Sequence, residues 1–175
     1  MKTGILTGAV AVACAAMCIG PGSSAYAQST PPATTMTAKE TTMAHEARGT
    51  FDVKLNPLKD EALDGAGLGS MSIAKQFHGD LEGTSVGQML TAMSAVEGSG
   101  AYVAVEKVTG TLGGRKGTFM LQHMGTMDRG VPKLSVTVVP DSGTDELVGL
   151  TGTFEIIIAD GKHSYVFHYS IAAAH

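Results

Sequence analysis

From Ala47 onward apolar and polar residues alternate with a period of two along most of the chain, the period of strands whose two faces meet different surroundings. The pattern is plainest from Ala101 to Met127, AYVAVEKVTGTLGGRKGTFMLQHMGTM. Only Gly113 and Gly114 separate its two arms, and a Gly-Gly pair supplies the positive φ angles that a two-residue hairpin turn needs. Register follows from that turn. Tyr102, Ala104, Glu106 and Val108 share one face, while Val103, Val105, Lys107 and Thr109 share the other. On the return arm Phe119, Leu121 and His123 alternate with Met120, Gln122 and Met124. Both faces are rich in apolar residues. One is therefore expected to line an interior, and the other to be covered in part by another element or subunit.

The rest of the chain reads in the same way. Phe51, Val53 and Leu55 alternate with Thr50, Asp52 and Lys54, a half-buried strand that Pro57 is expected to end. In Met71 to His78, Lys75 falls on the face of Met71, Ile73 and Phe77. Gly79-Asp80 turns the chain into Leu81 to Met93, where Gly83 and Gly87 mark bends. Val86 to Val96 also has the Met, Leu and Ala content of a helix, but its flanking glycines favour a strand. After a turn at Asp128-Arg129-Gly130, Lys133 to Val139 alternates again, and Pro140 to Gly143 turns once more. Leu150 to Ile158 and Ser164 to Ile171 close the pattern as a hairpin about Asp160-Gly161. No βαβ pattern is present, so the fold class is all-β and antiparallel. Gly makes up 23 of 175 residues, against an average near 7%, which provides the corners that closure needs. The expected architecture is an eight-stranded closed β-barrel over residues 47–172, with an open sandwich as the alternative.

The N-terminus has a different character. Lys2, an apolar and small-residue run from Ile5 to Ile19 broken by Gly20-Pro21-Gly22, and the A-x-A site Ala25-Tyr26-Ala27 read as a signal peptide over 1–27. The run is too short for a membrane anchor, so export to the periplasm or medium is expected, with no stable membrane span after cleavage. Residues 28–46, rich in Thr, Pro and Ala without apolar period, read as a flexible linker. Cleavage removes both cysteines, Cys14 and Cys18, and with them disulfides, thiolate catalysis and Cys-based zinc sites. The net charge is −4, and losing Lys2 makes the chain more acidic. Its Lys and Arg residues are scattered singly, which argues against a nucleic-acid partner.

Several stretches, ARGTFDVKLNPL, KQFHGDLEGTSVGQMLTA, the central hairpin, VPDSGT followed by GLTGTF, and DGKHSYVFHYSI, closely resemble a bacterial family known only as a domain of unknown function. The likeness spans Ala47 to Ile171. It implies an allene-oxide-cyclase-like, calycin-like eight-stranded barrel, similar also to that of dirigent proteins, often with a ligand-sized cavity. It implies no activity. Allene oxide cyclases act without cofactor on a fatty-acid epoxide held in the barrel, but the motifs of the plant enzymes are absent here.

Candidate chemistry rests on polar residues set into apolar strands. Glu106 on a lumenal face would be desolvated, with a raised pKa suited to general acid or base work near neutrality; at the rim it would instead pair with Arg115 or Lys107. His123 shares a side with Phe119 and Leu121 and is either a cavity group or a satisfied core histidine. Lys75 inside the barrel would pair with Glu106, whereas a bulge would turn it outward. The candidate ligand-binding set is thus Lys75, Tyr102, Glu106, Phe119, Leu121 and His123. Among His78, His123, His163, His168 and His175 no H-x-H pair occurs and His163 and His168 fall on opposite strand faces, so no metal site is expected. Nor is any cofactor, since phosphate-cradling loops and a G-x-S-x-G elbow are lacking. Three uses remain: an exported barrel binding a small apolar ligand, a structural barrel with a filled core that self-associates as a homo-oligomer, or a cofactor-free isomerase or cyclase using Glu106.

Overall fold

A computed structural model describes residues 43–172 apart from 60, 62 and 64. The expected signal peptide, residues 28–42 of the expected linker, and His175 lie outside the described residues. Eight strands follow one another: β1 (Ala44–Leu58), β2 (Leu68–Gly79), β3 (Leu81–Met93), β4 (Gly100–Leu112), β5 (Arg115–Asp128), β6 (Val131–Val138), β7 (Leu150–Ala159) and β8 (Lys162–Ile171). Each pairs antiparallel with the next and β8 pairs with β1, so the sheet closes into a barrel.

The central hairpin has the expected register, with Leu112 opposite Arg115 and Gly113 and Gly114 at φ 55° and 83°, the left-handed pair of a type I′ turn. Val86 to Met93 is strand, so the helical alternative falls. Two boundaries differ from expectation. β1 begins at Ala44, because Ala44, His45 and Glu46 pair with Ser170, Tyr169 and His168, and His45 stacks on Tyr169 at 5.3 Å. At the other end Pro57 stays in the ladder opposite Met71. Pairing of β1 with β8 stops at Phe51, so Pro57 faces a free edge on that side and its missing N–H removes no ladder bond.

The inward faces divide the lumen into a packed end and an open end. At the packed end Phe77, Phe119, Phe154, Tyr165 and Phe167 interlock, with Phe154 5.0 Å from Tyr165 and 5.3 Å from Phe167. Leu81, Leu112 and Leu150 fill the gaps, and the Tyr165 hydroxyl accepts a hydrogen bond from the Leu81 amide at 2.9 Å. A short 3-10 helix, Asp145–Leu147, lies between β6 and β7 and drops fully buried Leu147 into this end as a plug. That connection is tied to β5, with the Val139 amide donating to the Met120 carbonyl and the Thr144 amide to the Thr118 carbonyl, both at 2.9 Å. The ladder between β6 and β7 consists of one residue pair, Thr137 with Thr153.

Outside the barrel, Val86, Leu90, Val103, Val105, Met120 and Met124 of β3, β4 and β5 are exposed. Among the described residues nothing covers this face.

Candidate functional site

Above the aromatic plug the lumen is hollow. A cavity of about 500 Å³ opens toward the ends of β3, β5 and β7, its mouth lined by Met93, Met127, Leu134 and Ile158 and its deeper wall by Phe51, Ile73, Met89, Tyr102, Lys75 and His123. That volume lies within the range of small-molecule sites, as does a wall of apolar side chains with a few polar ones.

The polar groups meet at the floor, between hollow and plug. Strand alternation brings Lys75 from β2, Ser85 from β3, Glu106 from β4 and His123 from β5 to the same inner surface, and their registers bring them to the same height. Lys75 Nζ donates to Glu106 Oε1 at 2.7 Å, His123 Nε2 lies 2.9 Å from the same oxygen, and Ser85 Oγ donates to Oε2 at 2.7 Å. A carboxylate only accepts, so Nε2 of His123 carries the proton. These side chains are almost wholly buried, Lys75 8%, Glu106 2% and His123 3% exposed. The Lys75 ammonium also sits over the rings of Phe51 and Phe77, 5.0 and 5.9 Å from their centroids.

This environment reverses the expected titration of Glu106. Burial pushes its pKa up, but the His123 hydrogen bond and the Lys75 charge and hydrogen bond outweigh burial and hold it down at about 2. A carboxylate so stabilised is a fixed anion at neutral pH and a poor proton acceptor, which removes the basis for Glu106 as a general acid or base. The rim pairing with Arg115 or Lys107 is not formed either, since the partner is Lys75. Lys75 therefore points inward, and the bulge that would have turned it out is absent at this point of the β2 ladder.

The candidate residues separate by depth. Lys75, Tyr102 and His123 line the cavity, and Glu106 lies behind Lys75 and His123 rather than on the cavity wall. Phe119 and Leu121, on the same face as His123, belong to the packed end and do not reach the hollow. Alternation assigns a face but not a height along the barrel axis, and height decides this point. Tyr102 lies across Gly125 of β5, its cross-strand partner: a Cβ there would run into the tyrosine ring, so only glycine leaves the ring this place. Burial, and then the Glu106 charge, push the Tyr102 phenol pKa up, so it remains a neutral donor. Sequence reasoning missed Ser85 and Phe51 as site residues. Ser85 carried a signal, as the polar side chain on the inward face between Gly83 and Gly87.

Comparison with known proteins places this geometry in context. A family model for a protein of unknown function, DUF3224, matches residues 47–169. The chain is similar to the crystal structure of a DUF3224 protein of unknown function from Shewanella oneidensis MR-1, with 47% identity and a TM-score of 0.71 over 75% of this chain and 100% of that one. No curated protein matches the chain.

Proposed function

The chain belongs to the DUF3224 family of proteins of unknown function, and because membership carries no activity we propose a function from the barrel itself: it binds a small, mostly apolar ligand in its lumen after export from the cytoplasm. The observation that carries this reading is the hollow of about 500 Å³, left open above a tightly packed aromatic plug and floored by a few hydrogen-bonding side chains. A barrel built only for stability would gain by closing that space, since apolar walls left open to water forfeit burial. Export is supported by Lys2, the apolar run and Ala25-Tyr26-Ala27.

Binding is tested with N-phenyl-1-naphthylamine as a neutral fluorescent apolar probe, together with native mass spectrometry of the protein isolated from its own host. Saturable probe binding near one per chain is expected, lost in Met89→Trp, which fills the hollow while leaving the plug intact. Binding that is unaffected by Met89→Trp would show that the probe sits elsewhere and remove the reading. For export, a mature N-terminus at Gln28 is expected, and an intact Met1 in the cellular protein would refute cleavage at this site.

A second reading, self-association, is favoured by the exposed apolar outer face of β3, β4 and β5. Sedimentation of the native protein against Val105→Lys and Met124→Lys tests it. A dimer or larger assembly that becomes monomeric in the variants is expected, and a native monomer rejects it.

A further inference from the structure

Resting on the lumenal-binding reading, we propose that the barrel selects a neutral ligand, an apolar body ending in a hydrogen-bond acceptor such as a ketone, ester or amide carbonyl, and that Glu106 is the specificity residue that turns carboxylates away.

Lys75 is the cation at the floor of the hollow, and the other lysine on the cavity wall, Lys133, is exposed at the mouth. A lone buried ammonium would draw an anionic head group down to it. Here the ammonium already has its counter-ion 2.7 Å away, inside the protein wall rather than in the cavity. The Lys75 ammonium and the Glu106 carboxylate cancel as a pair. A carboxylate lowered onto this floor would give up its hydration to meet a neutralised cation, with the buried Glu106 carboxylate behind it as a second anion.

Hydrogen bonding supplies the other half. An ammonium has three N–H groups, and Glu106 takes one of them. The phenol of Tyr102 is neutral and on the cavity wall, and among the described residues no hydrogen bond occupies its hydroxyl. The hollow therefore offers donors from two walls and no net charge to balance. A carbonyl oxygen has two lone pairs and brings no charge, so it takes both donors without leaving an unpaired ion.

A matched series tests this on the unaltered protein: 2-dodecanone, dodecanoic acid, dodecylamine and dodecane, each competing with N-phenyl-1-naphthylamine at about pH 8, where the acid is ionised and the amine protonated. The ketone is expected to bind at least about tenfold tighter than the carboxylate and the amine, and about three- to tenfold tighter than the hydrocarbon. In Tyr102→Phe the ketone should fall toward dodecane while dodecane itself is unmoved. Glu106→Gln frees the Lys75 charge, so dodecanoate should gain at least about tenfold while the ketone changes by less than about threefold. Should that variant fail to fold, the ranking on the native protein still decides. Dodecanoate binding as well as or better than the ketone overturns the neutral-ligand proposal while the lumenal-binding reading stands; failure of every member of the series, dodecane included, to displace the probe overturns both.

Discussion

Glu106 is held as an anion in a wall of rings and aliphatic side chains, and its stability contribution has a definite sign with pH. Its folded pKa, about 2, lies below the ordinary value of 4.5. Stabilisation is therefore fully present above the ordinary carboxylate range and is lost as pH falls through the folded value, amounting to roughly 3 kcal/mol over that window. Glu106→Gln leaves the Lys75 ammonium buried without its counter-ion and is expected to cost about 3–5 kcal/mol at neutral pH, with Lys75→Met in the same chain restoring most of it. Urea denaturation across pH is the check: the gap between native and Glu106→Gln stability should narrow from about pH 5 toward pH 2. A gap independent of pH would mean that the carboxylate is not the stabilised species. That Lys75 and Glu106 face each other was legible in the alternation of two separate strands. The direction of the titration was not, because it depends on the groups that reach the carboxylate from other strands, His123 of β5 besides Lys75 of β2.

At the level of elements, the β4–β5 hairpin shows why turn chemistry is read so readily. Two successive positive φ angles between strands admit few sequences, and Gly113-Gly114 is one of them. The two glycines are not equivalent in what surrounds them. A Cβ on Gly114 meets open space, so Gly114→Ala should cost only the backbone term, about 1–2 kcal/mol. On Gly113 it would lie 2.8 Å from the Tyr169 hydroxyl, and Gly113→Ala should cost measurably more. Thermal denaturation of the pair decides this, and equal losses would show that Tyr169 yields freely. Strand identities and the tight turns were legible from period and glycine placement, but which face of β4 and β5 turns inward was not, since both carry apolar residues. The start of β1 was not, since Ala44, His45 and Glu46 have no apolar alternation and are ordered by pairing with β8, a contact between opposite ends of the domain. Nor was the Leu147 plug, which rides on a helix of a single turn with no periodic signal to show.

Across the whole molecule the barrel has a rigid half and a hollow half, and substitutions should report which half they enter. Phe77→Ala or Phe167→Ala, at fully buried sites in the aromatic plug, is expected to cost about 3–5 kcal/mol. Ile158→Ala at the mouth, 66% exposed, should cost under about 1 kcal/mol. Comparable losses at both ends, measured by denaturant titration, would contradict the division. Sequence reasoning reached closure of the barrel but not this polarity, because Phe119 and Leu121 look identical to cavity residues until shear between strands sets their depth. One line around the circumference differs from the rest. Where the ladder between β6 and β7 consists of the one pair Thr137 with Thr153, amide exchange should run far faster than in the long β4–β5 ladder. A cylinder riveted there by a solitary rung behaves as a split collar: its girth can change while every other seam stays whole, and a bulkier guest would be accommodated along that line first.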